Sequence, residues 1–282
     1  MGTVLQALER NSVIWIIISA GLGGLIGALI NFLFQQVLTP YLQHQRAAKQ
    51  ALRRYCYPLL KAADKLDRRL ENLINFVDKD WFGNSDDDYY RISTLYLFGC
   101  YFGWCKILED EAFLEYETSD KKARLFNIQF YTVFKSITGF HYFHGIADGE
   151  LTAIEEASVP RLVLTAIGEL MIEEMEDKNE PSNIIKFTSF TQQYESSSEF
   201  RKWFSYIERL LEKLKNDQND ARWNRVVIFA ATLRSFTLFL DPKHRMIAPR
   251  EMLYLAYLHP QVRDYLEKEI DKINHLQKTL GR

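Results

Sequence analysis

Two histidines stand close enough to share a ligand. In His141-Tyr142-Phe143-His144 an i, i+3 pair on a helix would place two imidazoles on one face, the geometry of a shared metal ion. No cysteine is near, and Asp148 and Glu150 are the only close carboxylates. The aromatic neighbours make packing the simpler reading. Neither His-Glu-x-x-His nor Glu-x-x-His occurs, so zinc-protease and di-iron bundle chemistry lose their usual marks. Asp78, Asp80 and Gly83 match positions 1, 3 and 6 of a calcium loop. Phe82 and Tyr89 then fall at positions 5 and 12, where oxygen ligands are required, so a solvated loop is expected. Cys56, Cys100 and Cys105 lack Cys-x-x-Cys spacing, and the last two lie in the most apolar helix, where thiols are inert.

The other familiar constellations are missing. There is no phosphate-binding glycine loop, no Gly-x-Ser-x-Gly elbow and no kinase signature. No arginine is followed four to six residues later by a histidine, the mark of HEPN-type ribonucleases. Glu109-Asp110-Glu111, Glu115, Glu117 and Asp120 form an acidic connection, solvated or available to a basic partner. No spacing favours an enzyme, no catalytic or metal-binding set emerges and no cofactor is implied.

The elements around these residues read as helix. Hydrophobic residues are 47% of the 282, enough for a substantial core. Only 13 Gly and 7 Pro occur, too few for an all-β chain of tight turns. Three cysteines exclude a disulfide scaffold. A net charge of −2 and a pI of about 6.3 argue against nucleic-acid binding.

Residues 11–45 contain no Asp, Glu, Lys or Arg, and residues 13–34 are nearly all apolar or small. As a helix they would be about 33 Å long, enough to cross a hydrocarbon core of about 30 Å. Trp15 and Tyr41 flank the stretch, where interfacial aromatics belong. The run is longer than a signal peptide's apolar region, has no small-x-small cleavage site, and is long for an uncharged core helix. A transmembrane helix over 13–38 is expected. Residues 1–40 are net neutral, whereas 41–70 carry eight bases against two acids, leaving −8 for residues 71–282. Basic flanks stay inside. A short N-terminus (1–12) outside and a cytoplasmic body at a bacterial inner membrane follow.

Within the span Ser19, Gly23, Gly27 and Asn31 recur every four residues, beside a second row of Ala20, Gly24 and Ala28. Small residues at this spacing let two helices approach closely, so a homo-oligomer is expected. Arg46, Lys49, Arg53 and Arg54 form a basic collar for lipid headgroups, or serve only to set topology.

Beyond it, Leu59, Ala63, Leu66, Leu70, Leu73 and Val77 make a narrow coiled-coil-like seam in a juxtamembrane helix over 41–78, kinked or restarted at Pro58. An α-helical domain follows over 79–282. Its first helix, 89–108, is apolar on nearly every side. It has only 14 uncharged residues between Arg91 and Lys106, which suits a buried core helix better than a second span. Gly99 and Gly103 would admit a close neighbour. A helix capped at Ser119-Asp120 runs to Thr138 and stops at Gly139. Residues 150–175 read as helix interrupted by Pro160, and 176–183 as a linker. Phe200, Trp203, Phe204, Ile207, Leu210, Leu211 and Leu214 share one face. Residues 221–240 read as an amphipathic helix ended by Asp241-Pro242, Pro249 as opening a helix to Leu258, and 261–280 as an exposed final helix.

Three features resemble an uncharacterised group of bacterial proteins with one N-terminal span. They are a helix start of Tyr-x-Pro-Leu-Leu type, here Tyr55-Cys56-Tyr57-Pro58-Leu59-Leu60, the aromatic helix 95–108 and a Gly-Glu-Leu-Met-type helix at 167–171. The resemblance implies a shared all-α body and transfers no functional residue. The chain therefore reads as all-α, a single transmembrane helix followed by a multi-helix cytoplasmic bundle. Three functions are open. One is a self-associating membrane scaffold that docks an unidentified cytoplasmic protein. Another is an oligomeric pore or membrane-disrupting effector of the kind a defence system uses. The third is an enzyme using His141, His144 or the scattered acids.

Overall fold

The computed structural model describes residues 39–79, 82, 88–112, 121–147, 149–173, 182–250 and 253–280. The apolar stretch with Ser19, Ala20, Gly23, Gly24, Gly27, Ala28 and Asn31 lies outside them. So do the cap at Ser119-Asp120, Asp80 and Gly83 of the calcium-like loop, and most of the 176–183 linker. Among the described residues no helix is long and apolar enough to cross a membrane. The chain forms two compact units, Met1–Gln50 and Ala51–Arg282.

The fold is all-α. Eight helices occur among the described residues: α1 Thr39–Asn75, α2 Tyr89–Ala112, α3 Lys121–Thr138, α4 Arg161–Leu170, α5 Phe187–Ser196, α6 Ser198–Leu211, α7 Ala221–Leu240 and α8 Pro260–Leu280. No strand is present among them, only two isolated bridges, Thr152 with Asp220 and Ile172 with Ile184.

The seam of α1 is buried as its spacing requires: Leu59, Ala63, Leu66, Leu70 and Leu73 all lie in the body's core, with Val77 packed at its edge. Pro58 does not restart the helix; helical backbone continues through it, at the cost of one missing N–H donor. Residues 51–78 thus share one unit with 79–282.

Helices α1 and α2 run antiparallel. Tyr55 near the start of the buried seam donates to Glu111 at 3.1 Å. Arg69 near its end donates to the Tyr90 carbonyl, Ser93 and Thr94 within 3.1 Å. Helix α2 is a core helix, with Leu95, Phe98, Tyr101, Phe102, Cys105 and Leu108 buried. Its crossing with α4 is glycine-mediated. A Cβ on Gly168 would lie 2.7 Å from the Phe102 carbonyl oxygen, and one on Gly103 would lie 2.6 Å from Ile184.

Helix α7 corrects one expectation. It is not amphipathic: every residue from Trp223 to Arg234 is buried, and so are Phe236 and Thr237. That is the pattern of a central helix. Rings of α2, α3 and α7 pack together: Phe229 stacks on Phe98 at 5.7 Å, and Phe236 meets Phe126 at 5.6 Å. Asp220 caps the start of α7 by accepting from the Arg222 N–H at 2.8 Å. Asp241 ends it and accepts from the N–H groups of Arg245, Met246 and Ile247.

Three further segments differ from expectation. Residues 150–160 are turns, because Gly149 and Ala153 adopt positive φ (86° and 52°) and Thr152 bridges to Asp220; only α4 after Pro160 is helical. The segment after Pro249 forms a 3-10 turn, Leu253–Tyr257, held by Trp223 Nε1 donating to the Tyr257 carbonyl at 2.9 Å. Helix α8 is not wholly exposed: Val262, Leu266 and Ile273 anchor it to the core. The face from Phe200 to Leu214 is buried as expected, Trp203 partly.

Candidate functional site

Three groups of charged side chains are candidates for function. The first is a buried network between α1, α7 and the loop before the 3-10 turn. Asp64, Asp67 and Glu71 follow one another at helical spacing on the side of α1 next to its seam. Arg234 of α7 reaches them: Nε donates to Asp67 at 3.0 Å, and Nη2 donates to Asp67 at 3.2 Å and to Glu71 at 3.1 Å. Arg250 pairs with Asp64, with Asp67 at 3.2 Å and with Glu71 at 3.3 Å. The Arg234 guanidinium also donates to the Tyr254 hydroxyl. Asp67 and Arg234 are almost wholly buried. Burial pushes the Asp67 carboxyl above its ordinary value, against the pull of Arg234 and Arg250. The carboxylates face guanidinium groups, which have no acceptor to offer and do not deprotonate. This network staples helices and offers no free acid or base.

The second group surrounds Arg225, also fully buried on α7. It has no carboxylate partner among the described residues. Nε donates to the Ala157 carbonyl at 2.8 Å, and Nη1 donates to the carbonyls of Ser136, at 2.9 Å, and Gly139. The Phe143 ring centre lies 4.6 Å from the guanidinium carbon. Desolvation lowers its pKa to about 10, which leaves it charged at neutral pH. The arginine thus caps the carbonyls at the end of α3 and fixes the turn that carries His141.

His141 and His144 do not come together. His144 is exposed, whereas His141 turns inward beside Tyr142 and Glu269 of α8. His141 Nε2 lies 3.9 Å from Glu269 Oε2. The distance allows an ion pair with a protonated imidazole but no direct proton transfer. Burial would raise the Glu269 carboxyl; His141, Tyr142 and Lys135 outweigh it and hold the group below its ordinary value. Tyr265 closes the cluster, its ring centroid 5.6 Å from that of Tyr142. The arrangement ties α8 to the turn after α3. Nothing in the sequence pointed to Glu269, which lies far along the chain from His141.

Among the described residues no three His, Cys, Asp or Glu side chains could hold a metal ion together. The cysteines are free. Burial raises the Cys56 thiol and pushes Cys100 up to about 11, with Cys105 raised well above the ordinary value. A groove of about 230 Å³ between α7 and α8, lined by Ser235, Phe239, His244 and Asn274 among others, is smaller than a typical ligand pocket.

The third group is the exposed face of α1. Arg46, Lys49 and Arg53 fall within this helix, and Arg54 is exposed on its surface. Lys61, Lys65 and Arg68 are exposed with it, whereas Arg69 turns toward α2. No family model, curated protein or solved structure matches the chain.

Proposed function

We propose that the chain is a membrane-anchored, self-associating interaction protein with a helical docking body. The observation that carries this reading is the charge-free stretch of residues 11–45, in which residues 13–34 are nearly all apolar or small. Its length matches a bilayer and its small-residue rows suit helix–helix contact. The basic residues after it support a body on the cytoplasmic side. The body supports the reading because its interior charges tie helices together, which makes a rigid platform for a cytoplasmic partner. The lipid bilayer, sister copies and that partner are the three contacts the reading requires.

The test is the mass of the full-length protein in a membrane mimetic, beside a Gly23→Ile, Gly27→Ile variant. A closed oligomer that falls to monomer in the variant supports an interface in the span. Its copy number separates scaffold from pore, because only a large ring of single apolar helices encloses water. A monomer in both cases overturns self-association through the span.

A further inference from the structure

Helix α1 sorts its charges. Its acids Asp64, Asp67 and Glu71 all pair with Arg234 or Arg250. Its bases Arg54, Lys61, Lys65 and Arg68 are exposed, and Tyr57 is exposed among them. These five positions are spaced three, four, four and three, so they form a single stripe on the helix. The buried seam of Leu59, Ala63, Leu66 and Leu70 fixes the register, and the stripe lies away from it. Of the four cations only Arg68 is in an ion pair among the described residues, with Asp64 at 3.1 Å. The Lys61 ammonium sits 4.5 Å above the Tyr57 ring.

We infer that this stripe lies flat on the anionic headgroups of the bilayer surface. The inference rests on the membrane-anchored reading above and gives that anchor a second, electrostatic contact. Charge complementarity selects the occupant: the stripe is four cations and no acid, in a chain whose residues 71–282 carry −8. Tyr57 adds the amphipathic ring that favours the headgroup level. Geometry sets the orientation. From Arg54 to Arg68 the helix rises about 21 Å, whereas surface potential decays within about 8 Å at physiological salt. A helix standing upright would leave most of the stripe outside that range. A helix lying down places all four cations within it.

The test uses the full-length chain in nanodiscs of phosphatidylcholine, alone or mixed with phosphatidylglycerol. Brief acetylation by a water-soluble amine reagent, read by mass spectrometry, reports each lysine. The anionic lipid should slow Lys61 and Lys65 about fivefold or more, the effect expected of one contact of this kind. High salt should restore them, and exposed Lys202 and Lys243 should react equally in both discs. Arg54→Gln should weaken the protection. Equal rates at Lys61 and Lys65 in both lipids overturn the inference. Rates equal in both discs yet slow beside those of Lys202 and Lys243 overturn it too, and indicate a cover that does not depend on lipid charge. Retention of the chain in phosphatidylcholine bilayers after an alkaline carbonate wash tests the anchor separately. Its loss there refutes the anchor whatever the lysines report.

Discussion

Replacing Arg234 by methionine tests whether the buried network holds the body together. The substitution preserves much of the apolar stem and removes the guanidinium that meets Asp67 and Glu71. Asp67 is then left buried with one partner, Arg250 at 3.2 Å. Stranding a buried charge costs about 3–5 kcal/mol. Because Arg250 remains, the lower end applies, about 3 kcal/mol. In a domain of this size each kcal/mol lowers Tm by about 2–4 °C, so a fall of about 6–12 °C is expected. The assay is thermal unfolding of the full-length chain at fixed lipid, followed by circular dichroism. Arg161→Met is the control. It breaks the Arg161–Glu109 pair at 2.8 Å, but the Arg161 side chain is 43% exposed, and such pairs contribute less than about 1 kcal/mol. Adding Asp67→Leu to Arg234→Met removes the stranded carboxylate and should recover part of the loss. A cost below about 1 kcal/mol for Arg234→Met, or a double variant as unstable as the two single losses added, would refute the reasoning.

Other perturbations check separate parts of the structure. The backbone N–H of Met246, followed by those of Arg245 and Ile247, holds the Asp241 carboxyl below its ordinary value against desolvation. Its contribution to stability is present above the ordinary carboxyl range and disappears as pH falls through the folded-state value. Asp241→Asn should therefore be less stable than the native chain at neutral pH, and the two should converge in acid, as measured by denaturant midpoints across pH. Gly168→Ala should cost about 1–3 kcal/mol, because the new methyl meets the Phe102 backbone carbonyl, which is fixed. Gly99→Ala should cost less, because its nearest atoms belong to the flexible Met171 side chain; chemical denaturation of the two variants side by side measures the difference. Alkylation of the native chain near neutral pH should leave Cys105 unmodified, since burial raises its thiol well above the ordinary value and blocks access; rapid modification would show that α2 opens.

What the sequence made legible was whatever depends on local periodicity. The α1 seam, the buried α2, the stop at Gly139 and the face from Phe200 to Leu214 follow from spacings of three and four and from one glycine. What it concealed depends on contacts between distant residues. An amphipathic α7 requires a wet face, yet the residues around its arginines Arg225 and Arg234 are mostly apolar on all sides. That conflict was the available signal, because a cation inside such a helix needs buried acceptors. The turns at 150–160 and 253–257 differ from the helices expected there for the same reason. Arg225 holds the Ala157 carbonyl and Trp223 holds that of Tyr257, contacts with no trace in local sequence. The pairing of His141 with Glu269 instead of His144 is another case.

The charge of α1 shows how such contacts change a functional reading. Over 41–70 the sequence holds eight bases and two acids, a sum in which every charge counts equally. In the fold both acids, Asp64 and Asp67, pair with arginines 186 and 167 positions away along the chain, and Arg69 turns toward α2. Arg234 and Arg250, cations of the acidic part of the chain, thereby offset the acids, and Asp64 also meets Arg68 of the outward face at 3.1 Å. What remains outward at Arg54, Lys61, Lys65 and Arg68 is positive. A summed charge predicts that the helix stays on the inner side of a membrane. The sorted charge predicts which side of the helix meets it, and that difference is what the lysine measurement reads.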